Sequence, residues 1–264
     1  MNMSPRKLLV PVLGAACALL LTAMPAASEA PDPDSPEFAT YVMNKIDDQY
    51  RGEKSRGIMQ MKVKTKNWTR TMKFESWTLG TKYSLMRIIS PKKEKGTATL
   101  KAKNDLFTYL SKTGKTIKIT SGMMGGSWMG SHFTNDDLVK NSRMADDFTI
   151  KKTFSGPIKS GLEIHRFVLT PRKNAAVVWG KIVVSVRASD LQPLRQLYYD
   201  EDGNKVRVMK FYKHTTFGER TMPMKMVIKP LDGSGEYTQV LVKEMDFGVK
   251  LNKSFFSLQK LKSM

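Results

Sequence analysis

The sequence is poor in the residue types that build covalent and metal-dependent sites. It holds one cysteine and three histidines in 264 residues. Cys17 has no second thiol to pair with, so a disulfide-stabilised extracellular scaffold is excluded. His132, His165 and His214 are far apart and form no His-x-x-His or His-Glu-x-x-His pattern. A metal site therefore has little support in the sequence.

Motifs of common catalytic and nucleotide-binding sites are also missing. The sequence has no Walker loop and no Gly-x-Gly-x-x-Gly stretch. Ser127 lies in Gly-Gly-Ser-Trp-Met, where a nucleophile elbow needs glycine in place of Met129. Adjacent aspartates at 136–137 and 146–147 are typical of helix starts and turns rather than of a paired general acid and base. We therefore expect no enzyme activity, no cofactor and no metal.

The first 28 residues are typical of a secretory signal peptide. Two basic residues precede an apolar run over 8–21, and small residues follow up to a cleavage point near Ser28. The run is short for a bilayer span, which makes a retained membrane anchor the weaker alternative. Because the run continues past Cys17, this cysteine does not resemble a lipid-modified one. We expect a soluble, exported protein.

Positive charge dominates the composition. The chain has 44 Lys and Arg against 24 Asp and Glu, which gives a formal net charge of +20. Such a charge favours anionic partners, among which an anionic membrane surface suits an exported protein. The plain alternative is that the lysines form the solvated outer face of a sheet. Because of the export signal, we do not expect nucleic acid as a partner.

After the signal peptide, the sequence predicts a short Pro/Asp linker over 29–35 and a single domain over 36–264. Apolar residues recur at helical spacing between 38 and 50. Ser35 stands where a helix N-cap is expected, a proline follows at the first helical position, and a glycine stands at the far end. We predict one amphipathic helix over 36–51.

Beyond this helix the hydrophobic period changes to two, the period of a β-strand. In 59–67, Met59, Met61 and Val63 face one way and lysines the other. Turn sequences at 200–205 and 230–237 predict hairpins, and a short polar helix is predicted from Thr134. The pattern predicts strands over 59–67, 69–79, 82–90, 96–103, 105–112, 115–120, 148–155, 162–171, 178–188, 191–200, 204–215, 220–230 and 234–245.

Many short antiparallel strands with few helices predict a sandwich or a barrel-like sheet. Methionines recur on one face of several strands, most clearly in 220–230, where three of them share a face with Ile228. Methionine is unbranched and polarizable, so such a face can line an adaptable apolar cavity. The alternative is that these side chains simply fill a densely packed core.

Two long stretches resemble a known family. Residues 87–138, RIISPKKEKGTATLKAKNDLFTYLSKTGKTIKITSGMMGGSWMGSHFTNDDL, resemble the central signature of the outer-membrane lipoprotein-sorting proteins, the LolA-like periplasmic carriers. The landmarks are Pro91, Gly96, the FTYL strand at 107–110 and GGSWMGSHFTNDDL from Gly125. The second half, from YYDEDGNKVRVMKFYK to the closing FFSLQKL, is also similar. The resemblance covers nearly the whole chain after the signal peptide.

This resemblance implies a mainly β (α+β) fold, an incomplete and strongly curved antiparallel β-barrel covered by an N-terminal helix and short lid helices. An apolar cavity between sheet and helices would shield acyl chains of lipoproteins or lipids in the periplasm, on their way to the outer membrane. The resemblance implies no cofactor and no catalysis, and it names an inner-membrane exporter as a partner. The alternative function is a non-carrier envelope adaptor that docks on such an exporter.

The resemblance also suggests which residues matter. A sheet arginine latches the lid in the family's lipoprotein carriers, and Arg70 and Arg87 are the candidate counterparts here. Relatives commonly carry an acidic residue where His132 stands. The candidate cavity residues are apolar side chains of the strands and of the segment 122–133: Met59, Met61, Val63, Met72, Phe74, Met123, Met124, Trp128, Met129, Phe133, Met222, Met224 and Met226.

The segment GMMGGSWMGSHF at 122–133 has no charged residue although the chain is strongly basic. Its glycines give the backbone freedom, and its methionines and aromatic residues offer apolar surface. We hypothesise that this segment is a hinged lip that opens the cavity to acyl chains. The alternative is a buried crossover that plugs one end of the barrel permanently.

Overall fold

In the computed structural model, which describes residues 30–140, 144–217 and 220–263, the chain begins with a helix and continues as one long sheet. The predicted signal peptide at 1–28 lies outside the described residues. Residues 31–264 form one compact unit. None of the described helices combines the length and the apolar character that crossing a membrane requires.

Helix α1 spans Pro36–Arg51, as the spacing predicts. Ser35 holds the N-cap position with extended backbone, but its side chain makes no capping hydrogen bond, contrary to the role expected for it. Phe38, Val42 and Ile46 are buried on the side of α1 that faces the sheet. Gly52 ends the helix at φ 56°, a left-handed conformation that glycine adopts at little cost.

All thirteen predicted strands are present, and the largest shift is at the start of the first one. Together with α1 they build the fold expected from the sequence. The strands are β1 Lys54–Lys64, β2 Thr69–Leu79, β3 Tyr83–Ser90, β4 Ala98–Ala102, β5 Asp105–Leu110, β6 Lys115–Ile119, β7 Phe148–Pro157, β8 Glu163–Pro171, β9 Lys181–Arg187, β10 Pro193–Tyr199, β11 Lys205–Phe217, β12 Arg220–Pro230 and β13 Tyr237–Asp246.

The thirteen strands form one antiparallel sheet in the order β6-β5-β4-β3-β2-β1-β13-β12-β11-β10-β9-β8-β7. The first and last strands of the chain pair at its centre, where Met61 lies opposite Val240. The edge strands β6 and β7 do not pair with each other, so the sheet does not close. The predicted fold, an incomplete and curved antiparallel barrel with helices, is confirmed.

The two edge strands are consecutive along the chain, so the connection between them must cross the open side of the sheet. We call residues 120–147 the crossing segment. It contains 3₁₀ turns at Ser121–Met123 and Trp128–Gly130, helix α2 at Asn135–Lys140 and helix α3 at Met144–Asp147. Helix α2 begins where the sequence predicts a short polar helix, whereas α3 was not predicted.

Buried apolar side chains form clusters on both faces of the sheet. The largest cluster lies between α1 and strands of the second half, with Phe38, Phe167 and Tyr198 among its members. On the opposite face of β2–β5, Trp77 and Leu100 are covered by the C-terminal segment. That segment ends in helix α4, Leu258–Ser263, which the strand pattern did not predict.

Candidate functional site

A cavity of about 240 Å³ lies between the concave face of the sheet, α1 and the crossing segment. Side chains from all three parts line it, and most of them are apolar. The apolar lining consists of Met43, Ile46, Met59, Phe74, Met86, Trp128, Phe133, Leu138, Met144, Met209, Phe211, Met226 and Val240.

The volume sets the size of a guest. An apolar protein cavity of roughly 150 Å³ holds one benzene molecule. In proportion, the present cavity of about 240 Å³ holds on the order of ten carbon atoms. That is the size of one acyl-chain segment rather than of several complete chains.

Five of the thirteen candidate residues named from the sequence line this cavity: Met59, Phe74, Trp128, Phe133 and Met226. Three more, Met61, Met72 and Met129, line a small second pocket that shares Phe74 and Trp128 with the first. Val63 is completely buried in the same cluster. The structure thus brings nine of the candidates together around Trp128.

The other four candidates lie elsewhere. Met222 is fully buried and Met224 half-buried on β12, outside the cavity lining. Met124 packs beside the Leu106, Ile119 and Val139 cluster under the edge of the sheet. Met123 is 42% exposed at the surface of the crossing segment. Sequence reasoning missed the contributions of α1, β3 and β11, whose inward side chains follow from the same periodicities.

Trp128 fixes the crossing segment above the cavity. Its indole Nε1 donates to Thr99 Oγ1 at 3.1 Å, inside the sheet. The ring stands edge-on to Phe74 at 6.0 Å and to Phe133 at 6.3 Å between centroids. Such edge-to-face pairs add to the stabilisation from burial. A side chain predicted as part of a mobile lip is therefore also an anchor of the crossing segment.

The two arginines named as latch candidates behave differently. Arg70 donates to the carbonyl oxygen of Met129 in the crossing segment and pairs with Glu94 at 3.3 Å. Arg87 instead donates to Glu75 at 3.0 Å, on the face of the sheet that carries Trp77. Arg70 therefore forms a hydrogen bond with the crossing segment, whereas Arg87 pairs within the sheet and lines the small second pocket.

A third arginine, which the sequence did not single out, holds the cover more firmly. Arg207 on β11 is buried and donates to both carboxylate oxygens of Asp137 in α2, at 2.8 and 2.6 Å. It also donates to the carbonyl oxygen of His132 at 2.8 Å. Its guanidinium lies 4.0 Å from the ring centroid of Tyr198 and 4.2 Å from that of Trp179. Bidentate, stacked contacts of this kind require arginine rather than lysine.

The charge of Arg207 is maintained inside the protein. Burial alone would lower the pKa of Arg207, but the Asp137 carboxylate raises that pKa above its usual value. The same carboxylate accepts from the Thr134 backbone N–H at 2.7 Å, while Thr134 Oγ1 accepts from the Asp137 N–H at 3.2 Å. This capping box starts α2. One side chain thus both begins the helix and attaches it to the sheet.

His132 makes a further attachment at the other side of the crossing segment. Its ring nitrogens lie 2.8 Å from Thr238 Oγ1 and 3.2 Å from Glu236 Oε2. The backbone N–H of Lys66, together with His132, lowers the pKa of Glu236 below its usual value. His132 thus attaches the crossing segment to β13 and to the hairpin before it.

Polar groups also line part of the cavity. Arg51 and Asp47 of α1 form an ion pair with 2.8 Å between Nε and Oδ1, and Ser76, Thr78 and Ser84 come from β2 and β3. Among the described residues, no group of three or more His, Cys, Asp or Glu side chains could hold a metal ion.

This fold and this cavity define the class of protein: a LolA-like half-barrel with a covered apolar interior. A domain from Vibrio parahaemolyticus named as an outer membrane lipoprotein-sorting protein domain matches with a TM-score of 0.75 and 18% identity, over 86% of this chain and 100% of that one. A LolA superfamily protein from Nitrosomonas europaea matches with a TM-score of 0.72 and 15% identity, over 84% and 98%. The TM-scores and coverages show a shared fold, and at these low identities they show the fold alone.

Further comparisons concern the family to which the sequence belongs. A family model described as "Uncharacterized protein" matches residues 80–263, and the chain belongs to that family. A DUF1329 family protein from Desulfovibrio piger has the same fold, with a TM-score of 0.75 and 18% identity over 84% of this chain and 97% of that one. No curated protein matches the sequence significantly.

Proposed function

We propose that the protein binds acyl chains of lipids or lipoproteins in the apolar cavity and carries them through the periplasm toward the outer membrane. The cavity of about 240 Å³ between sheet, α1 and crossing segment is the observation that carries this proposal. Burying an acyl chain is favourable by about 0.8 kcal/mol per CH₂ group. A segment of roughly ten carbons can therefore be held without covalent or metal chemistry.

The structural relatives support this proposal through their names. One is named for outer membrane lipoprotein sorting and another for the LolA superfamily. The strong positive charge of the chain fits a carrier that meets anionic membrane surfaces. A binding role without catalysis also agrees with the sequence, since it shows no motif of a catalytic site.

Native mass spectrometry of protein purified from its own periplasm tests the proposal. We expect lipid or lipoprotein mass bound to the wild type and much less bound to Met226→Trp, because the larger side chain fills the cavity. Val227→Trp is the matched control, since Val227 is the next residue of β12 and is absent from the lining. Protein without bound lipid, in both wild type and control, would favour the envelope adaptor that carries nothing.

A further inference from the structure

One end of the cavity is polar. Thr78 on β2 lies opposite Ser84 on β3 in the sheet register, and both line the cavity. Arg51, the last residue of α1, precedes by three residues the start of β1, where Lys54 pairs with Leu79. The end of the helix and the hydroxyl-bearing ends of β2 and β3 therefore lie at the same end of the sheet.

Arg51 has unused hydrogen-bonding capacity at this end. Its Nε donates to Asp47 at 2.8 Å, and its side chain is 18% exposed. Within the described parts of the chain, only the Nε of the Arg51 guanidinium makes a hydrogen bond, so its two terminal nitrogens have no protein acceptor there. A planar fork with free N–H groups is suited to carboxylate and phosphate oxygens.

A second group beside Arg51 also lacks a partner. Tyr50 lines the cavity, and its hydroxyl oxygen is buried without a hydrogen bond in the described structure. Burial raises the pKa of Tyr50 well above its usual value, so the hydroxyl remains a donor. A buried polar group without a partner costs free energy, which an oxygen of a bound ligand would recover.

We propose that the cavity selects single-chain amphiphiles with an anionic oxygen head group, with the tail among the methionines and the head on Arg51. This inference rests on the proposed binding of acyl chains and adds the chemistry of the head group. The volume fits one tail, and Arg51 supplies the charge. Asp47 competes with the ligand for the guanidinium, so its removal strengthens binding.

Four amphiphiles with the same twelve-carbon tail test the inference by calorimetric titration below their micelle-forming concentrations. They are dodecanoate, dodecyl phosphate, dodecanol and dodecyltrimethylammonium. For the wild type we expect the anions to bind about tenfold more tightly than dodecanol, the effect of one charge-assisted contact. The preference between carboxylate and phosphate then distinguishes fatty-acid-like from phospholipid-like heads.

Variants assign the effect to the proposed contact. Arg51→Gln should reduce the ratio of anion to alcohol affinity to about one, and Asp47→Asn should raise it. Arg56→Gln is the matched control, because Arg56 pairs with Glu75 outside the cavity lining; its ratio should equal that of the wild type. Added salt should also lower the ratio, since the Arg51 side chain is partly exposed and salt screens exposed charges.

The outcomes separate the two proposals. Equal binding of dodecanol and the anions, or an anion preference that survives Arg51→Gln, overturns the head-group inference and leaves acyl-chain binding intact. Tighter binding of the ammonium amphiphile, lost in Asp47→Asn, also overturns it. No binding of any of the four overturns acyl-chain binding itself.

Discussion

Arg207 on β11 holds Asp137 of α2 through two hydrogen bonds of 2.8 and 2.6 Å, and both side chains are almost completely buried. This pair joins the crossing segment to the sheet. Removing one partner of a buried ion pair leaves an uncompensated charge, which typically costs about 3–5 kcal/mol. We therefore expect Arg207→Met to lower the free energy of unfolding by about that amount in urea denaturation.

A double-mutant cycle separates the pair from the rest of its surroundings. Asp137→Asn keeps an oxygen for the Thr134 N–H and removes the charge. We expect the double variant to be less destabilised than the sum of the two single variants, with a coupling energy of about 1–3 kcal/mol. Purely additive effects would show that the ion pair does not hold the crossing segment.

The C-terminal helix gives a prediction with an internal control. Leu261 is completely buried against the outer face of the sheet, whereas Leu258, in the same helix, is 42% exposed. Leu261→Ala should lower the free energy of unfolding by about 2–5 kcal/mol, the usual cost of a large-to-small change in a core. Leu258→Ala should change it by about 0.5 kcal/mol or less. Equal effects would mean that this helix is not docked in solution.

His165 predicts how stability depends on pH. Burial, and then the charge of Lys152, lowers its pKa below the usual value of about 6.5. As the pH falls, His165 therefore binds a proton at a higher pH in the unfolded chain than in the folded protein. The stability that this histidine contributes is fully present above about pH 6.5. It is lost as the pH falls through that value toward the lower folded pKa.

Urea denaturation at pH 7.5 and pH 5.5 measures this dependence. We expect the free energy of unfolding of the wild type to fall between pH 7.5 and pH 5.5, and that of His165→Gln to fall less, because glutamine does not titrate. In the wild type the His165 imidazole lies 2.9 Å from the Ser155 hydroxyl, and the glutamine amide can still form a hydrogen bond with this hydroxyl. If the free energy of unfolding of His165→Gln fell between the two pH values by as much as that of the wild type, His165 would be excluded as the cause of the pH dependence.

Most of the fold could be predicted because the two periodicities are clean. Helix α1 and all thirteen strands follow from spacings of 3.6 and 2. The start of β1 was missed because small residues fill its inward positions. A side-chain carbon built on Gly57 would lie 2.6 Å from the sulfur of Met245 and 3.2 Å from the carbonyl oxygen of Glu244, so a larger residue at this position would require these neighbours to shift.

The cavity could be predicted only in outline. Periodicity shows which face of a strand points inward. Whether an inward side chain fills the core or lines the cavity depends on where the crossing segment packs against the sheet. Met226 lines the cavity while Met222, on the same face of β12, is sealed in the interior. Arg207 was missed because its partner is 70 residues away, which leaves no local pattern.

The crossing segment offers the final prediction. Residues 122–127 are mostly exposed, whereas Trp128 and the residues after it are tied to the sheet by Thr99, Thr238 and Arg207. If the first part is a hinged lip, its amides should exchange with solvent faster than those of 128–139 in hydrogen-exchange mass spectrometry. The reason is that local opening is easiest where few buried contacts hold the chain.

Ligand then distinguishes a lip from a merely loose loop. Added dodecanoate should slow exchange in 122–127 because closure over a bound tail stabilises the closed state. The turn at 201–204 is equally exposed, but it neither belongs to the crossing segment nor lines the cavity, so its exchange should not change. Complete protection of Gly122 to Gly130 without ligand would instead identify a fixed plug. Fast exchange that ligand does not slow would leave the segment without a role in admitting acyl chains.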